Sequence, residues 1–191
     1  MALPIRTFVA FKLPANIISA IRQVQDEIIP YRFKSKWVDP AKIHLTLKFL
    51  GDTRAEAIAK IGEAIQRSAK GCSPIALRAK GIGVFPAISR ARVVWVGIKG
   101  ETDLLRKLQE SLQNELNEIG FAREKRSFKG HLTLGRLKKR PDPKTLLKAI
   151  EELGGFESEP FRADRIILFK SDLKPEGAVY SELMSAKLMA S

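Results

Sequence analysis

The sequence predicts an α+β fold of two pseudo-symmetric lobes, with largely antiparallel sheets, helices outside and a central cleft. Three observations lead there. Strand-like and helix-like segments alternate irregularly, often with two strands between helices, which argues against a doubly wound parallel sheet. The segment Lys42-Ile-His-Leu-Thr-Leu-Lys48 returns 87 positions later as Lys129-Gly-His-Leu-Thr-Leu-Gly135, close to half of the 191-residue chain. A duplicated strand–helix unit explains that echo. No stretch rich in Pro, Gly or Ser separates the halves. Residues 1–191 are therefore expected to form a single bilobal domain.

The elements follow in order. Residues 6–11 read as a strand. Residues 15–29 carry apolar side chains at 17, 18, 21, 24, 28 and 29, a helical spacing that Pro30 closes. Residues 43–50 read as a strand rich in β-formers, after which Gly51-Asp52 is expected to turn the chain. Thr53 and Glu56 have capping-box spacing, so a helix should run to about Ala69, with Gly71 near its end. Residues 74–85 and 92–98 predict two further strands, buried because of their Val, Ile and Trp content. Residues 103–119 give the clearest helix, with Leu at 104, 105, 108, 112 and 116 and Gly120 as its stop. Residues 131–137 read as a strand leading into the basic turn Lys138-Lys139-Arg140-Pro141. A short helix over 143–153 ends at Gly154-Gly155, and residues 162–169 and 179–188 read as closing strands.

Composition narrows the function. Lys and Arg number 34 against 21 Asp and Glu, giving a net charge of +13. Such a field attracts polyanions, nucleic acid first among them. Cys72 is the only cysteine, so no internal disulfide forms, and a lone thiol in a turn without a neighbouring His suits a reducing compartment better than catalysis. The N-terminal Met-Ala-Leu-Pro-Ile-Arg lacks the apolar core of a signal peptide, and no apolar run approaches the ~18 residues of a membrane span. The expected location is the cytoplasm, without membrane association.

The chemistry rests on two histidines, the only two in the chain, each in a His-Leu-Thr-Leu tetrapeptide. Successive side chains of a strand point to opposite faces, so His44 and Thr46 share one face while Leu45 and Leu47 anchor in the core. His131 and Thr133 repeat the arrangement against Leu132 and Leu134. Opening a cyclic phosphodiester needs a base for water and an acid for the departing ribose oxygen. Imidazole, with a pKa near 6.5, can serve as either at neutral pH. Threonine hydroxyls beside the rings can donate to nonbridging phosphate oxygens. A single His in a strand is readily explained by packing; two in matched contexts are not. A catalytic zinc usually takes three protein ligands, and no acidic cluster adjoins either motif, so neither metal nor cofactor is expected. The sequence also holds no Gly-x-Ser-x-Gly elbow and no phosphate loop of the Gly-Lys-Ser/Thr kind. The residues alone leave open which His is acid and which is base.

The paired His-x-Thr-x motifs resemble the 2H phosphoesterase superfamily, and within it the RNA 2′,3′-cyclic phosphodiesterase branch, also called 2′-5′ RNA ligase. Residues 6–11 resemble the family's opening strand and residues 37–51 its first motif region. Lys80-Gly-Ile-Gly-Val-Phe-Pro86 and Arg92-Val-Val-Trp-Val-Gly97 resemble its middle, and residues 171–180 its C-terminal signature. The resemblance implies that His44 protonates the leaving O3′, that His131 activates water and that the product is a 2′-phosphate. It implies that Thr46, Thr133 and Arg136 hold the phosphate. Gly130 departs from the family, where Pro often precedes the second His; that alters the approach of the strand and not the chemistry.

Strict alternation sets Arg136, five residues after His131, on the wrong face, so its role requires a bend or bulge near Gly135. Phe49 and Phe128 flank the motifs, where either could stack on a base or simply pack in the core; Trp37 and Trp95 carry the same ambiguity. Lys129, with Arg90, Arg92, Arg123, Lys125 and Arg126, could form a basic approach for RNA. The expected partner is RNA ending in a 2′,3′-cyclic phosphate, bound by a monomer. The alternatives are 2′-5′ RNA ligation, hydrolysis of another cyclic or 2′-5′-linked nucleotide, and a non-catalytic RNA-binding module.

Overall fold

A computed structural model describes residues 4–175 and 177–190. Glu176, within the segment compared with the family's C-terminal signature, lies outside the described residues, as does the start of the N-terminal stretch (residues 1–3). The chain runs β1 (Ile5–Lys12), α1 (Ala15–Ile28), β2 (Ser35–Trp37), β3 (His44–Thr53), α2 (Ala57–Ala69), β4 (Ile75–Phe85) and β5 (Val93–Gly100). It continues through α3 (Thr102–Glu118), β6 (His131–Leu137), α4 (Pro143–Glu152), β7 (Phe161–Ala163), β8 (Arg165–Lys174) and β9 (Gly177–Lys187). The strands form two sheets, ordered β3-β1-β8-β9 and β2-β6-β5-β4-β7. Every ladder between these strands is antiparallel, as the α+β reading expects.

The 87-residue shift relates far more than the two tetrapeptides. It carries β1 onto β5, α1 onto α3, β3 onto β6, α2 onto α4 and β4 onto β8. The two copies of the unit are not separate in space. The last strand of the first copy, β4, pairs with β5 of the second, and β8 of the second pairs with β1 of the first. Each sheet thus contains strands from both halves of the chain.

Alternation assigns the faces. Val9, Phe11, Leu45, Leu47, Ile166 and Leu168 point from the first sheet into a large core shared with the helices. Phe8, Ala10, Ile167 and Phe169 form a small cluster with Tyr180 on the opposite face. The helices bury their apolar stripes in the same core: Ile17, Ile21, Val24 and Ile28 of α1, and Leu105, Leu108, Leu112 and Leu116 of α3. The other face is left for the cleft.

Three sequence expectations are corrected, and one strand is added. Gly51-Asp52 is no turn: β3 runs on to Thr53, and Gly51, at φ 73°, belongs to a bulge where the register with β1 slips by one residue. No capping box forms at Thr53. Its hydroxyl pairs with Thr7 Oγ1 at 2.7 Å at the end of the ladder, and α2 begins only at Ala57 with no side-chain cap. The predicted strand 162–169 is two strands in different sheets. β7 pairs with β4 and β8 with β1, the chain crossing over at Asp164. The short strand β2 was not foreseen, and it pairs with β6 beside the second motif.

Candidate active site

β3 and β6 belong to different sheets and approach each other within 8 Å between Cα atoms. Between the sheets lies a cavity of about 330 Å³. From the first sheet it is lined by Arg6, Phe8, His44, Thr46, Phe49 and Tyr180, and from the second by Thr133 and Arg136. His131 is not part of that lining. It lies two residues along β6 from Thr133 on the same face, roughly 6.6–6.8 Å away along the strand.

The two imidazoles are held in the same way. His44 Nδ1 lies 2.8 Å from the Lys42 carbonyl, and His131 Nδ1 lies 2.7 Å from the Lys129 carbonyl. A carbonyl only accepts, so Nδ1 donates and carries the proton in the neutral ring, which leaves Nε2 with its lone pair. Aromatic side chains fix the rings. Phe8 stacks on His44 at 4.6 Å and Tyr180 meets its edge at 5.2 Å. Phe85 meets His131 edge-on at 4.9 Å, with Trp95 at 6.3 Å. Phe8 and Trp95 are themselves equivalent under the 87-residue shift. Burial pushes both imidazoles below their ordinary pKa, and the carbonyl bonds partly oppose it. Lys129 and Arg136 lower His131 further.

Backbone register resolves the conflict over Arg136. In the β5–β6 ladder Trp95 faces Thr133, Val94 faces Gly135 and Val93 faces Arg136. Leu134 is therefore the extra residue of a bulge, which returns Arg136 to the face of His131 and Thr133. Gly135 lets Trp37 pack there, because a Cβ at 135 would stand 2.5 Å from the indole Cε3. The first half repeats the device: Ala10 faces Thr46, Val9 faces Lys48 and Phe8 faces Phe49, so Leu47 is the extra residue. Phe49 thereby takes the position in the first half that Arg136 takes in the second.

A bulge interrupts the ladder, and each of these two is completed by a buried glutamine from the other half's helix. Gln25 Nε2 of α1 donates to the Leu134 carbonyl at 2.8 Å and to the Val38 carbonyl at 2.8 Å. Gln109 Nε2 of α3 donates to the Leu47 carbonyl at 3.3 Å. Neither glutamine was singled out in the sequence, where polar residues at helical spacing read as solvent-facing. Lys48 was missed for the same reason. It is 2% exposed and donates to the Ala122 carbonyl at 2.7 Å, tying β3 to the loop that precedes β6.

Phe49 is 61% exposed and lines the cavity, so core packing does not account for it. Phe128 packs against the core beside Ile98, Leu105 and Gly130, in a separate depression. The Lys129 ammonium lies over Trp95 at 4.6 Å and over Phe85 at 5.6 Å. Arg90, Arg92, Arg123, Lys125 and Arg126 do not line the cavity. Sequence reading assigned no role to Arg6, Phe8, Lys42 or Tyr180, all of which do line it. Phe8 could have been found by carrying the echo outward from the motifs to Trp95. Cys72 lies away from the cavity, and burial pushes its thiol up. Among the described residues no three His, Cys, Asp or Glu side chains gather as a metal site would require, and no helix is long and apolar enough to cross a membrane.

Comparison with known proteins places this geometry. Residues 12–175 match the model of the 2′-5′ RNA ligase superfamily. A protein of Thermotoga maritima named RNA 2′,3′-cyclic phosphodiesterase is 34% identical over 178 residues, covering 93% of this chain and 92% of that one. One of Archaeoglobus fulgidus with the same name is 35% identical over 181 residues, covering 93% and 97%. The crystal structure of TT0787 of Thermus thermophilus superposes with a TM-score of 0.78 at 29% identity, over 96% of this chain and 97% of that one. E. coli LigT complexed with 3′-AMP superposes with a TM-score of 0.79 at 23% identity, over 97% and 99%, a likeness of fold.

Proposed function

The chain belongs to the 2′-5′ RNA ligase superfamily, and on that premise we propose that it hydrolyses RNA 2′,3′-cyclic phosphate ends to 2′-phosphates without a metal, using His44 and His131. The observation that carries the reading is the matched anchoring of the two rings: each Nδ1 is fixed on the carbonyl two residues upstream and each Nε2 is left for proton transfer. The relatives' names support the substrate.

In this reading Nε2 of His131 takes a proton from water as its oxygen attacks phosphorus. The bond from phosphorus to O3′ breaks, and His44 delivers its proton to O3′. Thr46 and Thr133 donate hydrogen bonds to the nonbridging oxygens, and Arg136 balances the charge gathering there. Burial favours the neutral form of both rings in the free protein. The bound phosphate anion restores the proton on His44 by opposing the desolvation that removed it. Phe49 offers a face for the terminal base. The residues supplying this site come from both sheets, so the bilobal chain acts as one domain. Attack by a 5′-hydroxyl in place of water is the same step with another nucleophile: the bond from phosphorus to O3′ breaks, a 2′-5′ linkage forms, and the same groups move the protons.

The test is to incubate the protein with RNA ending in a 2′,3′-cyclic phosphate in excess EDTA and identify the terminal phosphate. A 2′-phosphate is expected, with His131→Ala slowed about 10²–10⁴-fold. A 3′-phosphate product would reverse the leaving group, full activity of His131→Ala would remove the base, and absence of turnover would favour a binding module.

A further inference from the structure

β2 is the outer strand of the second sheet, and its exposed side chains are cations. Arg32, Lys34 and Lys36 are exposed, while the alternating Phe33, Ser35 and Trp37 are half-buried. In the ladder with β6, Lys36 stands directly opposite Arg136. The Lys138 amide donates to the Lys34 carbonyl at 2.7 Å, which extends the ladder one step and sets Lys34 opposite Lys138. Two cation pairs therefore follow one another on the same face, roughly 6.6–6.8 Å apart along the strand.

Like charges directly opposite each other across a ladder repel and lower stability. Some cations elsewhere have acidic partners, among them Arg67 with Glu115, Arg78 and Lys80 with Glu157, and Lys170 with Asp172. Among the described residues none of Lys34, Lys36, Arg136 and Lys138 is in an ion pair. An anion lying between the paired cations would relieve the repulsion. The first pair adjoins the cavity, since Arg136 lines it, and the second lies further out. Successive cation pairs leading away from that cavity match a chain of phosphates better than a single one.

We propose that the pairs Lys36/Arg136 and Lys34/Lys138 are a track for the RNA backbone upstream of the terminal nucleotide. Resting on the cyclic phosphodiesterase reading, this narrows the substrate class to the 3′ end of an oligoribonucleotide. The terminal base lies toward Phe49, on the first half. The preceding phosphates leave across the second half, over the edge formed by β2 and β6.

The test compares wild type with the Lys34→Gln/Lys36→Gln/Lys138→Gln variant on two substrates, a 2′,3′-cyclic mononucleotide and a ten-nucleotide RNA ending in the cyclic phosphate. For the RNA, kcat/KM is expected to fall about tenfold or more, and the slope of log kcat/KM against log salt to flatten by about 2. For the mononucleotide it is expected to stay within about twofold, because none of the three lysines lines the cavity. Equal losses on both substrates, or no loss on the RNA, would overturn the track. Should wild type turn over neither substrate, the catalytic reading falls separately. Fluorescence anisotropy with the same RNA ending in a 3′-phosphate then decides the track, which stands on tenfold weaker binding by the variant and falls on unchanged binding.

Discussion

Replacing Gln25 by Met tests whether the bulge that aims Arg136 is held by hydrogen bonds or by packing alone. Gln25 is 4% exposed, and its amide bridges the carbonyls of Val38 and Leu134. Methionine keeps the length and approximate volume of the side chain, so little cavity term enters. The Leu134 carbonyl retains the Val38 amide at 2.9 Å as a donor. The Val38 carbonyl loses the glutamine. Two lost bonds at about 1 kcal/mol each, with about 1–2 kcal/mol for the carbonyl left unmatched, give a destabilisation of about 3–4 kcal/mol. For a chain of this size that lowers Tm by about 6–16 °C. Urea unfolding should show a lower midpoint at unchanged m. Because Val38 lines the cavity and Leu134 is the bulged residue, kcat/KM should fall as well. The corresponding Gln109→Met change removes the 3.3 Å bond to the Leu47 carbonyl and the 3.4 Å bond accepted from Gln113 Nε2, and should cost about 1–3 kcal/mol. A Gln25→Met protein within about 0.5 kcal/mol of wild type would refute the reasoning.

The pH profile follows from the imidazoles. The productive free protein has His44 protonated and His131 neutral, and burial lowers both pKa values. The bell of kcat/KM should therefore centre on the acid side of about 6.5 and fall above it as His44 loses its proton. An optimum above pH 7 contradicts this, and the kcat profile should lie at higher pH because bound phosphate favours the charged ring. Phe49→Ala should leave stability within about 0.5 kcal/mol, the side chain being 61% exposed, while weakening nucleotide binding by about 5- to 100-fold. A marked loss of stability would return Phe49 to the core. Gly135→Ala forces a Cβ against the Trp37 indole and should cost about 1–3 kcal/mol, with a fall in kcat/KM as Arg136 is displaced. Thermal unfolding and steady-state kinetics check both.

Periodicity alone determined much of this protein. The Leu positions of α3 at 105, 108, 112 and 116 and the His/Thr against Leu alternation of both motifs are local patterns that the structure keeps, while Leu104 of the same pattern is exposed. The 87-residue echo announced a duplicated unit because equal sequences make equal strands. Its consequence, the exchange of β4 and β8 between sheets, was not legible, since strand pairing is a long-range choice that no local pattern encodes. Asp164 shows the same limit: residues 162–169 read as one strand because each half has β character, and only the two separate partners divide them. The bulges at Leu47 and Leu134 decided which face Phe49 and Arg136 occupy. Alternation gave the opposite answer for Arg136, because a one-residue slip against a neighbouring strand reverses every face beyond it. Gln25, Gln109 and Lys48 stay polar in the sequence and buried in the structure for a related reason: their partners are backbone carbonyls supplied from distant parts of the chain. The two histidines were legible as a matched pair from their tetrapeptides. What only the tertiary structure decided is their setting, each ring pinned at Nδ1 and packed among aromatics, on strands of two different sheets that close around one cavity.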